Sequence, residues 1–192
     1  MDLRRTRRER TARDIQIAAV QLAVEHGIEA VTTDAIAHAA GVSPRTFFNY
    51  FPFKEAAILG PVLDYPEDAA EAFAAGRLTL IRDLEDLIRA HLARLTGDRG
   101  LIADMLRLSE TDAKLQALRR SAFLGRRARL AELLSRRLPD APPEVVHVLS
   151  HALIGAIGRA IEDWAIGREP DLIAAACRNL SLIPAASALL ES

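Results

Sequence analysis

The chain has 192 residues, of which 50% are hydrophobic and 27% are charged, and its formal net charge is −1. This composition excludes a disordered chain, and the length suffices for one or two domains with a substantial core. The near-zero net charge excludes a polycation that binds nucleic acid with its whole surface. The single cysteine, Cys177, excludes an intramolecular disulfide, and its alanine-rich surroundings favour simple packing.

Positive charge is concentrated at the N-terminus. Residues 1–13 hold six arginines and two acidic residues, a local balance of 6 − 2 = +4. Such basic asymmetry is typical of a segment that meets a polyanion, and a solvated tail is the equal alternative. No apolar signal-peptide core follows, so we expect a cytoplasmic protein. The arginines are Arg4, Arg5, Arg7, Arg8, Arg10 and Arg13.

Two helices are predicted first along the chain. From about residue 7, apolar side chains such as Ile15 and Leu22 recur at offsets of three and four, which is typical of an amphipathic helix. Gly27 is expected to end this helix, because glycine adopts the left-handed conformation of a C-terminal cap. A second, short helix is predicted from Thr33 to Ala40, with a threonine as its N-cap.

The third predicted helix is hardly two turns long. Ser43 is its expected N-cap and Pro44 its first residue, where a missing N–H is harmless. Two short helices joined by a tight turn with glycine form a helix-turn-helix, whose second helix enters the DNA major groove. The side chains expected to lock the two helices against the first helix are Ile36, Val42, Phe47 and Phe51.

The outward side chains of this helix suit DNA. Arg45 and Asn49 are four residues apart and share one face, where arginine can read guanine and asparagine can read adenine. Hydroxyl, phenol and ammonium groups around them suit phosphate oxygens. A plain N-cap for Ser43, a core position for Tyr50 and a solvated surface for Arg45 and Asn49 remain open. The rim groups are Thr33, Ser43, Thr46, Tyr50 and Lys54.

Helical patterns continue to the end of the chain. A fourth helix opens at Lys54 and is broken by Pro61 and Pro66. No stretch shows the two-residue alternation of a strand, so the predicted fold class is all-α. Further helices are predicted over 78–97, about 101–108, about 112–138, about 144–166 and from 171, with an interruption near Pro184.

The stretch TTDAIAHAAGVSPRTFFNYFPFKEAAIL, within a match over about residues 7–60, resembles the N-terminal signature of TetR-type (tetracycline-repressor-like) transcriptional regulators. The resemblance implies a three-helix helix-turn-helix DNA-binding domain over residues 1–53. It also implies a helical ligand-binding and dimerisation bundle over residues 54–192. The matching positions are Thr33, Gly41, Val42, Ser43, Thr46, Phe47, Phe48, Tyr50, Phe51 and Lys54.

The resemblance also implies roles for individual residues. Base reading falls to Pro44, Arg45 and Asn49. Phe48 stands where the family often has tyrosine, so a hydroxyl contact to phosphate is absent there, and Arg45 stands where many members have glycine. The phosphate contacts that the resemblance implies come from Thr33, Ser43, Thr46, Tyr50 and Lys54.

The segment from Glu144 to Trp164 is apolar on most sides and rich in small residues, so its helix must be buried. We expect a homodimer through the helices at about 144–166 and 171–190, as the resemblance also implies. Polar residues interrupt the segment, which makes it a poor membrane span. His147 and His151 are four residues apart, but a metal site needs three or four ligands, so we expect a role in packing or at the interface and no metal.

The middle helices are expected to hold a small, partly apolar effector. Core packing is the plain alternative for each candidate. The basic run over residues 119–137 is suited to an acidic ligand, to DNA or to a solvated face with pairs such as Glu132–Arg136. The candidate lining residues are Leu84, Ile88, His91, Met105, Leu108, Phe123 and Trp164.

The function predicted from these features is a ligand-responsive, DNA-binding transcriptional regulator. We expect a repressor that a small effector releases from a palindromic operator in the nucleoid. A transcriptional activator and an architectural DNA-binding protein without a ligand are the alternatives. No nucleophile elbow, phosphate-binding glycine loop or metal cluster occurs, so we expect neither an enzyme nor a cofactor.

Overall fold

The structure is a computed structural model that describes residues 3–190, with side chains described from residue 7 onward. Within that range it is helical with no strand, which confirms the predicted all-α class. The elements are α1 Leu3–His26, α2 Thr33–Ala39, α3 Pro44–Tyr50, α4 Lys54–Leu59, α5 Glu67–Ala75, α6 Leu80–Leu92, a 3₁₀ turn at Thr96–Asp98, α7 Arg99–Thr111, α8 Ala113–Arg137, α9 Pro143–Ala165, α10 Leu172–Ser181 and α11 Ile183–Ala188.

Helix α1 begins earlier than the sequence predicts. It starts at Leu3 rather than near residue 7, because the arginine-rich start contains neither glycine nor proline and arginine is a good helix former. The N-terminal arginines that the structure describes therefore extend a helix instead of a frayed tail. The side chains of Arg4 and Arg5 lie outside the described residues.

The chain forms two compact units. The first contains the residues up to Leu63 together with Gly100–Ala122, and the second contains Asp64–Arg99 and the residues from Phe123 onward. The predicted functional division after residue 53 stays a proposal.

The core of the first unit joins the helix-turn-helix to α1. Ile36 and Phe47 are fully buried against Ile15, and Val42 and Leu22 are partly buried against the same cluster. These contacts confirm the predicted packing between the two short helices and α1.

Helix α4 is fixed to α1 by a buried amide. The Gln16 Nε2 donates to the carbonyls of Leu59 at 3.2 Å and Ile58 at 3.5 Å, the last carbonyls of α4. Gly60 follows with φ of 85°, and a Cβ there would lie 2.2 Å from the Gln16 side chain. The positive φ favours glycine, and a side chain here would also displace the Gln16 amide from the carbonyls that it binds.

The second unit is built around α9. Val146, Leu153, Ile157 and Trp164 form its buried face, and α10 packs against both α9 and α6. Among the described residues, α9 is the one helix long and apolar enough to cross a membrane. In its most apolar stretch of 18 residues, 33% is buried. The core helix of a globular protein meets the same criterion, so the finding carries little weight.

Ion pairs connect α8 to other helices of the second unit. Arg136 pairs with Glu71 of α5 at 2.7 Å, and Arg137 pairs with the buried carboxylate of Asp83 at 3.2 Å. The predicted Glu132–Arg136 interaction is present as a Coulombic attraction that helps to raise the pKa of Arg136, but Glu132 makes its ion pair with Arg129 at 2.7 Å. A carboxylate on another helix is the nearer partner for Arg136.

Candidate nucleic-acid interface

Side-chain caps position the two helices of the helix-turn-helix. The Thr32 hydroxyl accepts from the Ala35 amide at 3.1 Å, so Thr32 is the N-cap of α2 and Thr33 is its first residue. Gly41 follows α2 with φ of 66°, a conformation that favours glycine. The Ser43 hydroxyl then accepts from the Thr46 amide at 3.1 Å and caps α3, as predicted.

Buried aromatic side chains hold α3 in place. Phe47 is fully buried, with its ring centroid 5.3 Å from that of Phe48 and 6.2 Å from that of Phe51. A helix of seven residues is unstable alone in water, so these tertiary contacts determine its position. The backbone of α3 is thereby fixed and its opposite face is available for contacts outside the chain.

The predicted base-reading residues lie on the exposed side of α3. Pro44, Arg45 and Asn49 are all exposed, and Phe48 is 54% exposed beside them. Within the described part of the chain, neither Arg45 nor Asn49 has a side-chain hydrogen bond or ion pair. Their donors are therefore free for a ligand that approaches this face.

The predicted phosphate contacts surround that face. The Thr33 side chain is half-buried at the start of α2. The Ser43 and Thr46 hydroxyls lie 2.9 Å apart at the start of α3, where free backbone N–H groups also favour an anion. The Arg8 guanidinium lies over the Tyr50 ring, 5.4 Å from its centroid. This contact places the basic N-terminal part of α1 beside Tyr50.

Lys54 does not have the free ammonium that a phosphate contact needs. Its Nζ donates to the carbonyls of Ile28 at 2.7 Å, Val31 at 2.8 Å and Glu29 at 3.2 Å. An ammonium has three N–H donors, and all three are used here. Lys54 thus stabilises the loop between α1 and α2. No sequence pattern predicts this role, because the carbonyls belong to residues more than twenty positions away.

We expect Lys54→Met to lower the free energy of unfolding of the first unit by about 2 kcal/mol, because hydrogen bonds from a charged donor contribute about 1.5–3 kcal/mol each and water replaces part of the loss. Urea unfolding followed by circular dichroism measures this. Arg45→Met, an exposed change nearby, is the control and leaves stability unchanged. Equal stability of the two variants would contradict the role of Lys54.

The candidate effector-lining residues are distributed over the two units. Ile88, His91 and Trp164 are buried in the second unit, where Leu84 is buried and Phe123 is half-buried as well. Met105 is buried and Leu108 partly buried in the core cluster of the first unit.

His91 lies in a buried polar cluster that the sequence did not reveal. Its ring packs against the Tyr65 ring with centroids 4.9 Å apart and donates to the backbone carbonyl of Asp64. Burial, reinforced by Arg126 and Arg94, lowers the pKa of His91 to about 4, and burial raises the pKa of Tyr65 to about 12. The Nδ1 atom of His91 is buried without a partner among the described residues.

The histidine pair of α9 gives no metal site. The ring of His151 bonds through Nδ1 to the His147 carbonyl at 2.8 Å. Over residues 3–190, no three histidine, cysteine or carboxylate side chains are grouped so as to hold a metal ion.

The capped α2, the glycine turn and the exposed polar face of α3 define a helix-turn-helix DNA-binding protein. Residues 16–58 match the family model of bacterial regulatory proteins of the tetR family. The HTH-type transcriptional regulator TcmR of Streptomyces glaucescens is 32% identical over 183 residues, which cover 88% of this chain and 80% of TcmR. The chain belongs to the TetR family and is a transcriptional regulator.

Solved structures share the fold. The fatty acid degradation regulator FadR of Bacillus halodurans is 21% identical, with a TM-score of 0.58 over 90% of this chain and 93% of its own. FadR of Thermus thermophilus, a TetR-family repressor solved in complex with lauroyl-CoA, is 24% identical, with a TM-score of 0.51 over 89% and 92%. At these identities the likeness establishes the fold alone.

Proposed function

We propose that the protein is a repressor that binds a palindromic operator as a homodimer and is released by a small, partly apolar effector. It acts on nucleoid DNA in the cytoplasm. The observation that carries the proposal is the outer face of α3, where Arg45 and Asn49 are exposed and unpaired while the buried Phe47 holds the helix. Residues 1–53 bind DNA, and residues 54–192 bind the effector and the partner.

In the proposed complex, Pro44, Arg45 and Asn49 contact base edges in the major groove. Arginine pairs with the O6 and N7 atoms of guanine and asparagine with the N6 and N7 atoms of adenine. Lys54 supports the domain from within rather than contacting phosphate, because its ammonium is already used. The phosphate contacts come from Thr33, Ser43, Thr46 and Tyr50.

Replacing Arg45 with alanine is expected to weaken operator binding by about 1–3 kcal/mol and to relax the preference at one base pair of each half-site. Fluorescence anisotropy on operators mutated one base pair at a time measures this. Stability is unchanged, because the Arg45 side chain is exposed. A uniform loss of affinity on every duplex would show that Arg45 does not read a base.

The homodimer is supported by an apolar stripe on the exposed side of α9. Val145 and Val148 are 55% and 70% exposed, and Ala152 and Gly155 continue the stripe at spacings of four and three. Steps of three and four residues are typical of the contact face where two helices pack along each other. Leu182 and Leu189, which directly follow α10 and α11, are 59% and 74% exposed and add apolar surface. Two copies bring two reading helices to half-sites about 34–36 Å apart.

The proposed effector site draws on Ile88, His91, Phe123 and Trp164 of the second unit. Met105 and Leu108 belong to the core cluster of the first unit and are not part of it. Release then follows from a population shift, because an effector that binds the DNA-incompetent dimer more tightly displaces the operator.

Linkage requires that operator DNA weaken effector binding by the same factor. An effector found by thermal-shift screening must therefore bind the free protein more tightly than the operator complex. Equal affinities would exclude this mechanism.

A further inference from the structure

A cavity of about 390 Å³ lies in the second unit between α8 and α9. None of the candidate effector residues lines it. Ala128 and Ala131 of α8 form its apolar side, and Ser150 of α9 is buried opposite. Small side chains on both helices leave the space open. The volume falls within the range of about 300–1,000 Å³ that small-molecule sites occupy.

Arg127 faces this cavity without a carboxylate partner. The other arginines toward the C-terminal end of α8 pair with acidic side chains: Arg129 with Asp64 and Glu132, Arg136 with Glu71 and Arg137 with Asp83. In the part of the chain that the structure describes, the side-chain contact of Arg127 is a hydrogen bond with His151. A positive charge that the fold does not neutralise thus lines a cavity.

His151 orients that guanidinium. Its Nδ1 is 2.8 Å from the His147 carbonyl, which can only accept, so this nitrogen carries the proton. The Nε2 atom therefore accepts a hydrogen bond from Arg127. One N–H of Arg127 is used in this bond, and the remaining donors of its guanidinium fork stay available to an anion.

The remaining polar groups of the cavity are compatible with an anion. Glu132 is the one acidic side chain of the lining, and Arg129 pairs with it at 2.7 Å, so its charge is offset. The Ser135 hydroxyl and the His147 ring also line the cavity and have no hydrogen-bond partner among residues 3–190. Both can donate to an oxyanion.

We propose that this cavity binds the oxyanion group of a small organic molecule, a carboxylate or a phosphate. The anion pairs with the free edge of the Arg127 guanidinium, which matches two oxygens of either group. Ser135 and His147 donate to the same group, and the alanines contact the apolar part of the ligand. The site uses none of the DNA-reading residues and does not depend on the proposed repressor function.

Calorimetric titration of the full-length protein with hexanoate, hexanamide and inorganic phosphate tests the proposal. Hexanoate is expected to bind saturably, whereas its neutral amide binds at least about tenfold more weakly, because a hydrogen bond to a charged group contributes about 1.5 kcal/mol or more. Saturable binding of inorganic phosphate would show that the oxyanion group of the ligand is a phosphate. If neither anion binds, or if hexanamide equals hexanoate, the proposal is overturned.

Variants locate the binding. Arg127→Gln is expected to weaken the binding of the anion by about tenfold, while Arg120→Gln, an exposed arginine earlier on the same helix, leaves it unchanged. Ala128→Leu keeps the charge and fills the cavity from an exposed position, and it also abolishes binding. Trp164 fluorescence verifies that each variant is folded. Unchanged binding in Arg127→Gln and Ala128→Leu would place the anion elsewhere and overturn the proposal.

Discussion

Replacing Phe47 with alanine is expected to lower the free energy of unfolding of the first unit by about 3–5 kcal/mol. The Phe47 side chain is fully buried, and truncation leaves a cavity between α3 and α1. The helix that loses this anchor has seven residues and cannot persist alone. Total stabilities of proteins are only about 5–15 kcal/mol, so a loss of this size also abolishes operator binding.

Hydrogen exchange resolves this effect by unit. Amides of residues 33–59 are expected to exchange faster in Phe47→Ala, because the free energy of local opening falls there. Amides of α9 and α10 keep their protection. Phe48→Ala is the matched control. It removes the same ring from the next position of α3, where the side chain is 54% exposed, and changes stability by less than about 1 kcal/mol. Equal protection in the two variants would show that Phe47 does not anchor α3.

Acidification is expected to destabilise the second unit through His91. The native pKa is about 4 and the ordinary value is 6.5, so between these values the unfolded chain binds a proton that the native chain excludes. The free energy of unfolding therefore falls as the pH falls from about 6.5 to about 4, and the loss levels off below. At about 1.36 kcal/mol per pH unit, the full loss is about 3 kcal/mol.

Trp164 provides the measurement. It is the one tryptophan of the chain, it is 4% exposed and it belongs to the second unit, so its fluorescence in urea reports the unfolding of that unit. His91→Leu is expected to remove about 3 kcal/mol of the pH dependence, whereas His38→Gln, an exposed change in the first unit, removes none. A pH profile of His91→Leu that matches the wild type would show that burial does not hold His91 neutral.

The helix-turn-helix could be predicted from the sequence because its signals are local. Ser43 caps α3 within three residues, Gly41 ends α2 where a positive φ is required, and Phe47 recurs at a helical spacing that faces inward. A resemblance to a known family then ordered these local signals. Each of them depends on neighbours a few residues apart, and periodicity shows such neighbours directly.

Contacts between distant residues could not be predicted in this way. The Lys54 ammonium bonds to carbonyls from a loop more than twenty residues earlier, and backbone carbonyls carry no sequence signature. His91 was a candidate for the effector site, but its partners Tyr65 and Arg126 lie 26 and 35 positions away, and only the fold places them together. The partner of Arg136 was missed for the same reason.

The central claim is that the exposed face of α3 reads a specific operator as part of a dimer. Fluorescence anisotropy of the full-length protein on its own upstream intergenic DNA, against a scrambled duplex at two salt concentrations, tests it most directly. The expected result is that two chains bind each operator of two half-sites, with an affinity at least about 10³-fold higher than for the scrambled duplex. Both affinities fall as the salt concentration rises. Equal affinity for the two duplexes at both salt concentrations would contradict sequence reading by Arg45 and Asn49.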